Sequence, residues 1–94
     1  MEPSEVTVRG WHVTGRVQGV GFRWWCLRTA TRLHLRGTVR NRSDGSVEIR
    51  AAGIQPALDD FADLLSVGPL GARIDSVREL SVEGDLPPDF RVLS

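Results

Sequence analysis

The chain contains a glycine-rich segment whose backbone could bind an anion. Residues 15–21 read Gly-Arg-Val-Gln-Gly-Val-Gly, and they separate an alternating segment from one with helical spacing. Small residues let consecutive N–H groups point inward, and a helix N-terminus adds a partial positive charge. The segment lacks the Gly-Lys pair of a Walker loop, and the Gly-x-Gly-x-x-Gly pattern fails at Trp24. We therefore predict a phosphate site that is not of a nucleotide-binding type.

Two side chains could complete such a site. Arg23 falls in the first turn of the helix after the loop, and its planar, permanently charged guanidinium can contact two phosphate oxygens. Asn41 ends a later strand on the same face as Val39, and its uncharged amide suits holding a water in line with phosphorus. Taken singly, a solvated helix arginine and a turn-forming asparagine are the commoner interpretations.

The remaining residue types exclude several kinds of chemistry. All twelve basic residues are arginine, which removes Schiff-base chemistry and the lysine of phosphate loops. The single cysteine, Cys26, cannot form an internal disulfide, and with only His12 and His34 it cannot complete a common zinc site. We expect no metal and no cofactor. We also expect Cys26 to be a buried, inert thiol and His12 to be a solvent-facing strand residue.

The hydrophobic periodicity predicts the elements that position these residues. A strand over residues 6–13, with an irregularity near Gly10, precedes the loop and a helix that begins near Phe22. Alternation on both sides of Asp44-Gly45 predicts a hairpin, and a second helix opens near Pro56. Further strands follow at residues 74–82 and 90–93. This order predicts an α+β, ferredoxin-like βαββαβ sandwich: an antiparallel sheet with two helices on one face and a short fifth strand.

Length and charge limit the class of protein and its partners. Ninety-four residues predict a single domain over residues 1–94, with residues 1–5 as a flexible N-terminal extension. The formal net charge is zero, so we expect no nucleic-acid partner. No apolar run is long enough to span a membrane, and the N-terminus lacks the pattern of a signal peptide. We expect a cytoplasmic protein without a membrane partner, and a monomer by default.

The motifs together resemble those of the acylphosphatase family. Residues 13–23 (Val-Thr-Gly-Arg-Val-Gln-Gly-Val-Gly-Phe-Arg) and 35–41 (Leu-Arg-Gly-Thr-Val-Arg-Asn) carry the resemblance, which extends over the chain from Val6 onward. It implies an enzyme that hydrolyses the carboxyl-phosphate anhydride of small acyl phosphates without metal or cofactor. Asn41 would orient the attacking water, and inorganic phosphate or sulfate would be a site ligand. The phosphoryl group would be held by Arg16, Val17, Gln18, Gly19, Val20, Gly21, Phe22 and Arg23.

The sequence departs from the family pattern after the first helix. His34 stands where the family commonly has a glycine, so a residue with a Cβ is expected at positive φ. Two other functions also stay open. One is a phosphate- or carbamoyl-phosphate-binding module, because related domains occur within larger hydrogenase-maturation carbamoyltransferases. The other is an RNA-binding module with the same order of elements, which the neutral charge and the lack of paired sheet aromatics weaken.

Overall fold

The alternating segments form strands and the segments with helical spacing form helices, in the predicted order. The computed structural model describes residues 6–93, so the predicted extension at residues 1–5 lies outside the described residues. The elements in chain order are β1 (Thr7–Arg16), α1 (Phe22–Arg32), β2 (Arg36–Asn41), β3 (Val47–Gly53), α2 (Gln55–Leu65), β4 (Arg73–Leu80) and β5 (Phe90–Val92). The α+β, ferredoxin-like fold class is confirmed.

The five strands form one sheet in the order β4-β1-β3-β2-β5. The first four pair antiparallel, but β5 pairs parallel to β2, with Phe90 opposite Gly37 and Val92 opposite Val39. The prediction of an antiparallel sheet is therefore wrong at this edge, and the sheet is mixed. The reason is that β4 and β5 occupy opposite edges. The crossover segment (residues 81–89) passes from the β4 edge of the sheet to the β2 edge but stays at the same end of the strands. β5 therefore starts at the end where β2 starts and runs parallel to it.

One face of the sheet is buried beneath both helices. Trp11, Val39 and Ile49 point toward the helices and are at most 2% exposed. The aromatic ring of Phe61 in α2 packs edge-on against Trp11 and Phe90, with centroid separations of 5.5 and 6.3 Å. The helices contribute further core side chains, among them Phe22, Cys26 and Ala30 from α1 and Leu58 and Leu65 from α2.

The irregularity in β1 lies further along the strand than the sequence predicts. The pairing register with β4 shifts between Thr14 and Gly15, not near Gly10. Gly15 has φ of 130°, and a Cβ there would lie 2.0 Å from the carbonyl oxygen of Arg73, so only glycine fits. Gly10 has a different role, because a Cβ there would lie 2.5 Å from Val82 of the crossover segment.

The C-terminus of α1 is closed around a residue in the left-handed conformation. His34 has φ of 60°, as its departure from the family pattern predicts. Its N–H donates to the carbonyl of Thr31, and the N–H of Leu35 donates to that of Ala30, which is the bond pattern of a Schellman cap. Glycine is the usual residue at this position because a Cβ is strained there.

Candidate active site

The loop between β1 and α1 leaves the start of the helix open to a ligand. Gly21 precedes the helix in the left-handed conformation, and no side chain caps the first backbone N–H groups. Gly19 is also left-handed, and a Cβ on either glycine would meet no atom within 4 Å. Free N–H groups at a helix N-terminus attract an anion through their donors and through the helix dipole. The loop can therefore accept a phosphoryl group.

The predicted phosphate-binding residues divide into those that anchor the loop and those that border it. The side chains of Val17 and Phe22 are 1% exposed and belong to the core, so only their backbone can face a ligand. Phe22 also packs against Trp25, with ring centroids 5.5 Å apart. Val20 packs against the same core, whereas Arg16 is exposed at the end of β1. The loop is thus fixed by its apolar side chains while its glycines stay open.

Gln18 has a role that the sequence did not predict. Its side-chain Nε2 donates to the carbonyl oxygens of Arg42 and Ser46, at 2.8 and 2.9 Å. Both acceptors lie in the turn between β2 and β3. The amide of Gln18 therefore ties the loop to the hairpin, and only its backbone N–H is left for an anion.

Arg23 is connected to β2 through Leu93, the residue directly after β5. Nη1 of Arg23 donates to the carbonyl oxygen of Leu93 at 3.0 Å, and the N–H of Leu93 donates to the carbonyl of Val39 at 2.8 Å. Asn41 is two residues further along β2, on the same face as Val39. These two hydrogen bonds connect Arg23 to β2 at a position two residues before Asn41, the other side chain predicted to act on the substrate. The other N–H groups of the Arg23 guanidinium can contact an anion.

Asn41 has a buried amide oxygen with no partner among residues 6–93. Its Oδ1 is the buried side-chain polar atom that the described part of the chain leaves unpaired. Such an atom costs about 1–3 kcal/mol unless water or a ligand donates to it. An open cavity of about 290 Å³ lies beside the residue, lined by Arg40, Asn41, Arg42, Ser43 and Asp44. The amide oxygen is thus suited to accept a hydrogen bond from a water molecule.

The other candidate groups do not form a reactive centre. Cys26 is fully buried, and burial raises the pKa of its thiol, so the thiolate does not form near neutral pH. His12 lies on the sheet face away from the helices, as predicted, opposite Glu48. Its side chain is only 17% exposed, however, and Nε2 lies 2.8 Å from the hydroxyl of Ser46. Ser46 is 3% exposed and donates to Asp44, which lowers the pKa of that carboxyl. Ser46 is too deeply buried for a substrate to reach it. These contacts therefore serve the structure of the hairpin turn.

Two further features are absent from the described part of the chain: a cluster of metal ligands and a membrane-spanning helix. Among residues 6–93, no three His, Cys, Asp or Glu side chains lie close enough together to hold a metal ion. No helix in the described part of the chain has the length and apolar character needed to cross a membrane.

The fold is that of a ferredoxin-like α+β domain with a glycine-rich loop between its first strand and first helix. The acylphosphatase family model matches residues 9–92. The chain belongs to the acylphosphatase family. The family and enzyme class predicted from the sequence, a hydrolase of the acylphosphatase type, are therefore confirmed.

Individual relatives agree with this assignment. The chain is 47% identical over 87 residues to an acylphosphatase of Nitratidesulfovibrio vulgaris, and the alignment covers 89% of this chain and 87% of the relative. An acylphosphatase structure from Coxiella burnetii superposes with a TM-score of 0.87 at 34% identity, over 94% of this chain and 93% of that one. Full-length HypF in its phosphate- and nucleotide-bound form superposes with a TM-score of 0.89 at 26% identity, and the match covers 99% of this chain but only 12% of HypF.

Proposed function

We propose that the protein hydrolyses the carboxyl-phosphate anhydride of small acyl phosphates, giving a carboxylate and inorganic phosphate. The observation that carries the proposal is the unpaired, buried Oδ1 of Asn41 at the end of β2, the strand to which Leu93 links Arg23. Membership of the acylphosphatase family and the names of the relatives support the substrate class.

The phosphoryl group would be bound by the loop and by Arg23. The backbone N–H groups of residues 16–22 and the guanidinium would contact its oxygens, where charge accumulates in the transition state. These donors are fixed before the substrate arrives, because Val17 anchors the loop in the core and Gln18 ties it to the hairpin. Fixed donors need no reorganisation during the reaction, and this is the main source of their effect.

Asn41 would orient the attacking water. Its Oδ1 accepts one O–H of the water, which aims an oxygen lone pair at phosphorus. In-line displacement then requires the leaving carboxylate to depart on the side away from Asn41. A carboxylate is a good leaving group and needs no acid, so the reaction proceeds without a His, Cys or carboxylate at the centre.

Hydrolysis of benzoyl phosphate, followed by ultraviolet absorbance with excess EDTA, tests the proposal. We expect turnover by the wild type and a fall in kcat/KM of about 10²–10³-fold in both Arg23→Ala and Asn41→Ala. Arg28→Ala is the matched control, because Arg28 is an exposed residue of the same helix, and it should retain activity. Circular dichroism establishes that each variant is folded.

The same experiment separates an enzyme from a binding module. Because Asn41 acts on the water, Asn41→Ala should lower kcat and leave the affinity for inorganic phosphate nearly unchanged. Arg23→Ala should weaken both. A folded wild type that binds phosphate but shows no turnover above the buffer rate would contradict the enzymatic proposal and favour a phosphate-binding module.

A further inference from the structure

Arg42 is the point at which three separate contacts fix the chain directly after Asn41. Its N–H donates to the carbonyl of Ser46 at 2.8 Å, and its carbonyl accepts from Gln18 at 2.8 Å. Its guanidinium Nη1 donates to Glu48 at 2.8 Å. The first two contacts hold the backbone, whereas the third holds the side chain on the sheet face opposite the helices.

Glu48 holds the residue on the other side of Asn41 as well. Arg40, the cross-strand partner of Glu48, donates to its Oε1 from Nε and Nη2 at 3.1 and 3.0 Å. Side chains alternate along a strand, so Arg40 and Arg42 point to the open face while Asn41 points toward the helices. One carboxylate on β3 therefore contacts both neighbours of Asn41 from behind the sheet.

The carboxylate of Glu48 is built to be charged and immobile. Its side chain is only 6% exposed. Burial alone would raise its pKa, but hydrogen bonds from Arg40, Arg50 and Arg42 outweigh that effect and hold the pKa below the ordinary value. Arg50 completes the set from β3 itself, with Nε 2.9 Å from Oε2. The two arginines that flank Asn41 both donate to Oε1 of Glu48, whereas Arg50 donates to the other oxygen, Oε2. The contacts at Oε1 can therefore fix the strand end.

We propose that Glu48 is a positioning residue for the hydrolysis, acting through Arg40 and Arg42 to fix the backbone and side-chain direction of Asn41. The inference rests on the proposed function. Water must approach phosphorus in line, and a displacement of about 1 Å in a positioning group can cost about a hundredfold in rate. Asn41 is the last residue of β2 and a turn follows it, so contacts outside the strand pairing contribute to holding this strand end.

The three arginines provide an internal control. Each loses one ion pair with Glu48 on substitution by Gln, but only Arg40 and Arg42 flank Asn41. With benzoyl phosphate we expect kcat to fall about tenfold in Glu48→Gln, Arg40→Gln and Arg42→Gln with KM unchanged, and to stay within about twofold in Arg50→Gln. Equal losses in all three arginine variants would overturn the proposal, because they would indicate a general effect on stability.

A double-mutant cycle tests whether Glu48 acts through Asn41. If it does, Glu48→Gln should not lower kcat further in an Asn41→Ala background, because the group that it positions is already absent. Additive losses would overturn the proposal. Unfolding by urea, measured for each variant, corrects every rate for the folded fraction.

A readout that needs no turnover separates this inference from the proposed function. The side-chain amide resonances of Asn41, followed by ¹H–¹⁵N NMR, should shift in Glu48→Gln and Arg42→Gln and stay in place in Arg50→Gln. If these shifts occur but the wild type shows no acylphosphatase turnover, the positioning of Asn41 by Glu48 is supported and the proposed activity is refuted. Unchanged resonances in Glu48→Gln would overturn the positioning role whatever the activity.

Discussion

At the scale of single residues, the structure gives each conspicuous side chain one physical role. Arg23 is linked through Leu93 to Val39 of β2, while Gln18 ties the loop to the hairpin through its side-chain amide. Cys26 and Glu48 are both buried, but with opposite consequences for their pKa values. The thiol has no partner to stabilise its charge, whereas the carboxylate is surrounded by guanidinium groups.

We expect the Cys26 thiol to be unreactive in the folded protein. Burial raises its pKa, so alkylation by iodoacetamide at neutral pH requires opening of the core. For a domain with about 5 kcal/mol of stability, native labelling should be at least about a thousandfold slower than labelling in urea. Mass spectrometry of timed samples measures both rates. Comparable rates in the two states would contradict the burial of this side chain.

Glu48 should make folding stability depend on pH. Its pKa is lower in the folded protein, so its contribution is fully present above the unfolded pKa of about 4.3 and is lost as the pH falls through the folded value. We expect Glu48→Gln to lower the free energy of unfolding by about 2 kcal/mol at pH 7. The difference from the wild type should shrink below about pH 4. Urea unfolding at pH 7, 5 and 3.5 measures this, and a difference independent of pH would contradict it.

At the scale of elements, periodicity and turn residues predicted the order of strands and helices, because both are local properties of the chain. Asp44-Gly45 marked the hairpin, and the glycine loop marked the start of α1. The position of the bulge at Thr14 and Gly15 could not be predicted from β1 alone. It depends on the close approach of Arg73 from β4, which is distant in the sequence.

The cap of α1 should be more stable with glycine. His34 adopts φ of 60°, so its Cβ is strained, and its side chain is exposed. We expect His34→Gly to raise the free energy of unfolding by about 1 kcal/mol. His34→Ala keeps the Cβ and should change it little. Urea unfolding compares the three proteins, and a loss of stability in the glycine variant would show that the imidazole makes a larger contribution than the strain.

At the scale of the whole molecule, one aromatic side chain, that of Phe61, joins β1, α2 and β5. Phe61 is fully buried and touches Trp11 in β1 and Phe90 in β5. Leu93, the residue directly after β5, supplies the carbonyl to which Arg23 donates. Packing of the core and geometry of the candidate site are therefore linked through β5.

Truncation of Phe61 should destabilise the entire domain. Phe61→Ala removes a buried ring and leaves a cavity, and we expect a loss of about 3–5 kcal/mol in the free energy of unfolding. Leu70→Ala, at a fully exposed position, should change it by less than about 0.5 kcal/mol. Urea denaturation followed by tryptophan fluorescence measures both. Similar small effects for the two variants would contradict the central position of Phe61.

The sequence by itself determined the family and the order of the elements and predicted the residues of the candidate site, because periodicity, glycines and motif residues are local properties of the chain. Tertiary structure alone decided that β5 pairs parallel with β2, that Leu93 links Arg23 to β2, and that Glu48 gathers Arg40, Arg42 and Arg50. The formal net charge is zero, yet the open face of the sheet has a local excess of arginine, with three guanidinium groups around one carboxylate. Each of these features joins residues that are distant in sequence or lie on different strands. Their pairing depends on strand order and register, which the pattern of any one segment does not contain.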